Sequence, residues 1–283
     1  MMVTVCWKQP TATMNVCVFD IETIPDVNAG RRLYSLHGLA DAEVAEVMFH
    51  RRHQESGSEF LRPHLQQVVA ISVMMRSGRH CKVWSLGSLQ ASERELVQRF
   101  FDGIDKYTPT LVSWNGSGFD LPVLHYRALL HGIRMPRYWE IGDADNDFRW
   151  NNYLNRFHWR HIDLMDVLSG YQPRTAVPLD EIAVLLDLPG KQGMRGARVW
   201  EHYQAGDIEG IRCYCETDVL NTYLVYLRFE LMRGRLHETD YAMECRLLRS
   251  VLEAGDKPHW HEFLSAWNPA TLTEELALVE SQD

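Results

Sequence analysis

Paired cysteines, membrane-spanning runs and an export signal are all missing from this sequence, and each absence narrows what the chain is. The cysteines, Cys6, Cys17, Cys81, Cys213, Cys215 and Cys245, are scattered and include no CxxC pair. That excludes a disulfide framework, and Cys213 and Cys215, one residue apart on an expected helix, are poorly spaced for a thiolate metal site. They read as reduced side chains that fill core space. No apolar run approaches the roughly 20 residues needed to cross a bilayer. Residues 1–15 lack a basic start followed by an apolar stretch, so they are no signal peptide. The expectation is a cytoplasmic protein with no membrane partner. Lysine is also scarce, at 8, 82, 106, 191 and 257 only. Arginine, which makes forked phosphate contacts, supplies most of the positive charge. The net charge of −9 argues against a protein that coats nucleic acid, which needs a broad basic surface. It leaves room for an enzyme that handles one chain end with a local basic rim.

What is present is an ordinary globular composition, 283 residues with 46% hydrophobic and 24% charged. Residues 16–19, Val-Cys-Val-Phe, lead into Asp20-Ile21-Glu22 and read as a buried strand with an acidic end. Residues 28–63 form a polar, helix-leaning insertion. Apolar runs at 68–75 and 81–86, split by Ser77-Gly78-Arg79, predict a hairpin. Ser92 and Glu95 have capping-box spacing, which opens a helix to about Tyr107. A second core strand is expected over 110–114 and a helix over 119–131, with mostly loop over 132–160. Short helices follow at 162–168, 179–186 and 198–204. A long helix is expected over 207–232, closed by Gly234, and two more over 241–253 and 260–267.

Asp20 and Glu22 sit at i and i+2 on a strand, so both carboxylates leave the same face. Adjacent like charges repel, and a divalent cation resolves the conflict, with hard oxygen ligands suiting Mg²⁺ or Mn²⁺. Alone, the pair reads more readily as a solvated strand end with no role. Asp120, in Asn115-Gly116-Ser117-Gly118-Phe119-Asp120-Leu121-Pro122, stands where a helix cap would also stand. Gly116 and Gly118 suit a tight turn that brings backbone near a ligand. Tyr214 and Asp218 are one turn apart on the long helix. Their face also carries Ile211, Cys215, Thr222, Val225, Phe229 and Met232, an apolar stripe in which a carboxylate calls for a hydrogen bond or a metal. Four carboxylates and a phenol, if they converge, can hold two cations.

Phe19-Asp-Ile-Glu-Thr23, Asn115-Gly-Ser-Gly-Phe-Asp120 and Tyr214-Cys-Glu-Thr-Asp218 resemble the three motifs of DEDD-superfamily exonucleases with tyrosine in the third. More closely, residues 15–235 resemble predicted 3′→5′ exonucleases related to the proofreading domain of family B DNA polymerases. The resemblance implies an α/β, ribonuclease H-like fold, a mixed sheet flanked by helices. It implies two Mg²⁺ or Mn²⁺ ions, bridged by Asp20, with Glu22 and Asp218 on the nucleophile side, Asp120 acting through water and Tyr214 orienting the attacking water. The implied partner is the 3′ end of single-stranded DNA, or else RNA, with release of nucleoside 5′-monophosphates. With no polymerase segment after Asp218, a stand-alone exonuclease or one component of a larger assembly is implied. An unperturbed tyrosine has a pKa of about 10, so Tyr214 should position rather than deprotonate water.

The expected organisation is a disordered leader over 1–14, an exonuclease domain over 15–235 and a helical extension over 236–283, with Met14 as the natural start. Asp163 reads as a cap or supporting residue in preference to a ligand. Lys191 reads as a turn residue, and Phe119 as either a core residue or a wedge beside a terminal base. His259 and His261 read as surface residues without a role.

Overall fold

A computed structural model describes residues 14–190 and 196–267. The leader, Lys191 and the end of the C-terminal extension therefore lie outside the described residues. Strand β1 (Asn15–Pro25) runs through the acidic pair, and the insertion after it folds as helices α1 (Val27–Tyr34) and α2 (Asp41–Ser56). Asp26 caps α1 through the Ala29 N–H and also pairs with Arg127, which reaches on to Glu93. The insertion is thus tied to the elements that follow.

Strands β2 (Gln66–Ser77) and β3 (His80–Ser85) form the expected hairpin. Its turn uses Gly78 at φ 57°, a left-handed conformation that glycine adopts without strain. Helix α3 (Glu93–Tyr107) starts at Ser92, whose hydroxyl accepts from the Glu95 N–H. The capping box is only half formed, because Glu95 accepts from Arg99 one turn on. Strand β4 (Thr110–Ser113) and helix α4 (Asp120–His131) follow as expected.

The helix expected over 162–168 loses its first residues to β5 (His161–Asp163), which β4 takes as a parallel partner. Only α5 (Leu164–Leu168) remains helical. Helices α6 (Leu179–Leu185), α7 (Val199–Gln204), α8 (Ile208–Met232), α9 (Glu238–Glu253) and α10 (Pro258–Ala266) complete the described chain. Among the described residues, no helix is long and apolar enough to cross a membrane.

The sheet order is β3-β2-β1-β4-β5. The first three strands are antiparallel neighbours, while β1–β4 and β4–β5 are parallel. Residue alternation sorts the two faces. Val16, Val18, Met74, Val83, Val112 and Ile162 pack beneath α8, α9 and α10. Phe19, Ile21, Ile71, Val73 and Leu111 pack against α3 and α4. This is an α/β architecture, a mixed sheet with helices on both faces.

One expectation fails on α8. It carries no single apolar stripe: every residue from Tyr214 to Leu227 is buried, because the sheet, α6, α7, α9 and α10 enclose it. Met232, assigned to the buried face, is instead exposed near the helix end.

Candidate active site

Asp20 and Glu22 share the parity of Val16 and Val18, so they leave β1 on the face that α8 covers. Just past Glu22 the register slips: Glu22 opposes Ala70 but Thr23 opposes Val68, making Val69 the extra residue of a bulge. Bulges re-aim side chains at such places. From α8 come Tyr214, Cys215 and Asp218. Ligand atoms of Asp20, Glu22 and Cys215 all lie within 4.8 Å of one another. The Cys215 Sγ is 3.4 Å from both the Oδ2 and the backbone oxygen of Asp20.

Asp120 arrives from the other side of the sheet. Pairing of β4 with β1 covers Val16 to Val18, and beyond it the Ile21 N–H donates to Asp120 Oδ1 at 3.2 Å. Asp120 therefore does not cap α4, whose N-cap is Phe119 with no side-chain bond. The turn before it explains the two glycines. Asn115 is left-handed at φ 64°. A Cβ on Gly116 would meet Ser113 Oγ at 2.2 Å, and one on Gly118 would meet Asn115 Oδ1 at 2.4 Å. Their smallness serves close packing of the loop on itself. Asp163 holds that loop, accepting from the N–H groups of Asn115 at 2.9 Å and Ser117 at 2.8 Å, and caps α5 through Asp166. That is the supporting role read for it.

The electrostatics follow from burial. Asp120, 4% exposed, has its pKa pushed up to about 7, first by burial and then by the charges of Asp163 and Asp218, against its own and Ile21's N–H groups. The Tyr214 phenol is pushed far above its ordinary range by burial, by the charges of Asp218, Glu22 and Asp20, and by a hydrogen bond to Asp218. Asp20, Glu22, Asp120 and Asp218 thus share one neighbourhood, in which hard oxygen donors repel each other away from bulk water. Such a donor set fits divalent cations of the Mg²⁺ or Mn²⁺ type.

Phe119 is half-buried and its ring packs 4.9 Å from that of Phe60, which is 60% exposed. Sequence reasoning missed Cys215 as a neighbour of Asp20, and it misread His259. Glu216, buried on α8, accepts from Ser85, Lys257, His259 and Trp260 at 2.8–3.1 Å. His259 is therefore part of a clasp between α10 and α8. The available signal was an acidic residue inside an apolar helix, which requires a cation somewhere. His261, by contrast, is exposed and contacts the Gly255 carbonyl.

The pattern of a family described as "Predicted 3'-5' exonuclease related to the exonuclease domain of PolB" matches residues 58–267, well over half of the chain. The acidic pair of β1 lies upstream of that stretch and joins the site through the sheet. The chain is 37% identical over 145 residues to the catalytic polypeptide of DNA polymerase epsilon from Saccharomyces cerevisiae, covering 48% of this chain and 6% of that one. It is 55% identical over 38 residues to DNA polymerase 1 of Sulfurisphaera ohwakuensis, covering 13% and 4%. The structure of the family B DNA polymerase from the archaeon Pyrobaculum calidifontis matches with a TM-score of 0.48 and 16% identity, over 86% of this chain and 29% of that one. The chain spans only a small part of each of these polymerases. By the family pattern, it belongs to the predicted 3′→5′ exonucleases related to the exonuclease domain of PolB.

Proposed function

We propose that this protein is a metal-dependent 3′→5′ exonuclease that shortens single-stranded nucleic acid, with DNA as its substrate, and releases nucleoside 5′-monophosphates. The observation that carries this reading is the meeting of Asp20 and Glu22 from β1, Asp120 from α4 and Asp218 from α8 at one largely buried place. These four would hold two Mg²⁺ or Mn²⁺ ions. The chemistry such ions supply when bound is a lower pKa for the attacking water and stabilisation of charge on the leaving oxygen.

The chain's own residues do the rest. Glu22 and Asp218 flank the side from which water attacks. Asp120 is anchored through Oδ1 to the β1 backbone and acts through water. Burial and the charges of Asp218, Glu22 and Asp20 push the Tyr214 phenol up, which favours orienting water over acting as general base. Its hydrogen is directed to Asp218, which leaves the phenol oxygen to accept from the attacking water and set its approach.

The test is digestion of matched 5′-labelled DNA and RNA oligonucleotides, single- and double-stranded, with Mg²⁺ or Mn²⁺. Ladders shortening from the 3′ end of single-stranded DNA, loss of activity in excess chelator and block by a 3′-phosphate are expected. Cleavage of a closed circle, release of 3′-monophosphates or full activity in chelator overturns the reading.

A further inference from the structure

We propose that Cys215 is a positioning residue for Asp20, its S–H donating to Asp20 Oδ2 and holding that carboxylate turned toward Glu22. The inference rests on the exonuclease reading only in that it takes Asp20 as a metal ligand. Its geometry stands alone. The thiol sulfur lies 3.4 Å from Oδ2 and 3.4 Å from the backbone oxygen of the same aspartate, distances suited to a sulfur donor. An ionised carboxylate has no hydrogen to give, so the thiol must be the donor.

The two partners differ in constraint. Asp20 is half-buried at the edge of the site, a short side chain with more than one accessible rotamer. Cys215 is 0% exposed and seated among Ile24, Ala70, Val199 and Ile211, so its sulfur has little freedom. A weak bond from a fixed donor is enough to choose one orientation of a short side chain.

The seat is itself braced by a polar row that crosses the sheet face beneath α8. Asp20 on β1 stands opposite Ser72 on β2, and Ser72 opposite Ser85 on β3. Both serines are buried, with oxygens 2.9 Å apart, and Ser72 also contacts the Cys215 thiol. Ser85 donates to Glu216, the residue after Cys215, which Lys257, His259 and Trp260 hold from α10. Buried polar groups persist when every member is satisfied, and hydrogen bonds run from Ser72 through Ser85 and Glu216 to α10. The row fixes the rotation of α8 about its axis, and with it the direction in which the thiol points.

The decisive comparison is Cys215→Ala against Cys215→Ser in the whole chain, since serine restores a donor and alanine does not. Mn²⁺ binding without nucleic acid, followed by electron paramagnetic resonance, should weaken about three- to tenfold in the alanine variant and recover in the serine variant. Hydrolysis should lose kcat with KM unchanged. A metal-free readout stands beside these. The infrared S–H band isolated by subtracting Cys215→Ala from wild type should move to higher frequency in Asp20→Ala, which removes the charged acceptor and leaves only the backbone oxygen. Wild-type Mn²⁺ affinity in Cys215→Ala, equal weakening by alanine and serine, or an S–H band indifferent to Asp20→Ala each overturns the proposal. Absence of Mn²⁺ binding by the wild type would instead overturn the exonuclease reading, and the infrared arm would still decide the contact.

Discussion

A tyrosine whose phenol is pushed up by burial and by neighbouring carboxylates is suited to orienting water in preference to deprotonating it. Tyr214→Phe removes one hydrogen bond and leaves the four carboxylates in place. Its kcat should fall about tenfold or more while substrate KM and Mn²⁺ affinity change little, the pattern of a contact that matters mainly at the transition state. Asp218→Ala, one turn away on the same helix, deletes a proposed ligand and should raise the Mn²⁺ concentration needed for half-maximal activity. The rising limb of the pH–rate profile should keep its position in Tyr214→Phe at reduced height. If that limb disappears, the phenol is the titrating base and the roles given above are wrong.

Between elements, the clasp on Glu216 makes α10 part of the site's framework. Its carboxyl is held down to about 2: burial opposes ionisation, but His259 and Lys257 outweigh it. A pKa depressed in the folded state contributes stability that is present above the unfolded value of 4.5 and lost as pH falls toward about 2. Glu216→Gln should therefore lower stability near neutrality by about 3 kcal/mol, a drop in Tm of roughly 6 °C. It should also flatten the acid limb of the Tm–pH curve, and an unchanged limb would show the clasp to be idle. Nothing in local pattern announced this element pair, since Lys257 and Glu216 are 41 residues apart. The strands, the hairpin and α8 were legible because alternation, turn chemistry and helical capping are local. The strand character of Ile162 and Asp163 was not, because it comes from β4 beside them. At the site, Asp20, Glu22, Tyr214 and Asp218 declare their shared faces through i,i+2 and i,i+4 spacing. The anchoring of Asp120 on Ile21, 99 residues away, had no local signal at all.

For the molecule as a whole, the net charge of −9 argues against a broad basic surface and for few phosphate contacts. Affinity for single strands should depend weakly on salt, with a log–log slope of about −2, as for some three neutralised phosphates. A slope several times steeper would mean an extended binding track.

The same acidic site sets stability against function. Asp120 has its pKa raised from 3.8 to about 7, so without metal it contributes stability that is complete below the unfolded value and lost as pH rises through about 7. The apolar clusters on both sheet faces hold the fold together despite this. A dication competes with that proton for the carboxylates, so it should stabilise most where the proton has left. The rise in Tm on adding Mn²⁺ should thus be larger at pH 8 than at pH 6. Asp120→Asn keeps an oxygen for the Ile21 N–H and removes the charge. Without metal at pH 8 it should melt higher than wild type by at least a few degrees, on the order of 1 kcal/mol or more, while its hydrolysis rate collapses. If the variant instead melts lower at pH 8, the repulsion among Asp120, Asp163 and Asp218 is already balanced within the protein. A dication would then have no electrostatic strain to relieve at that position.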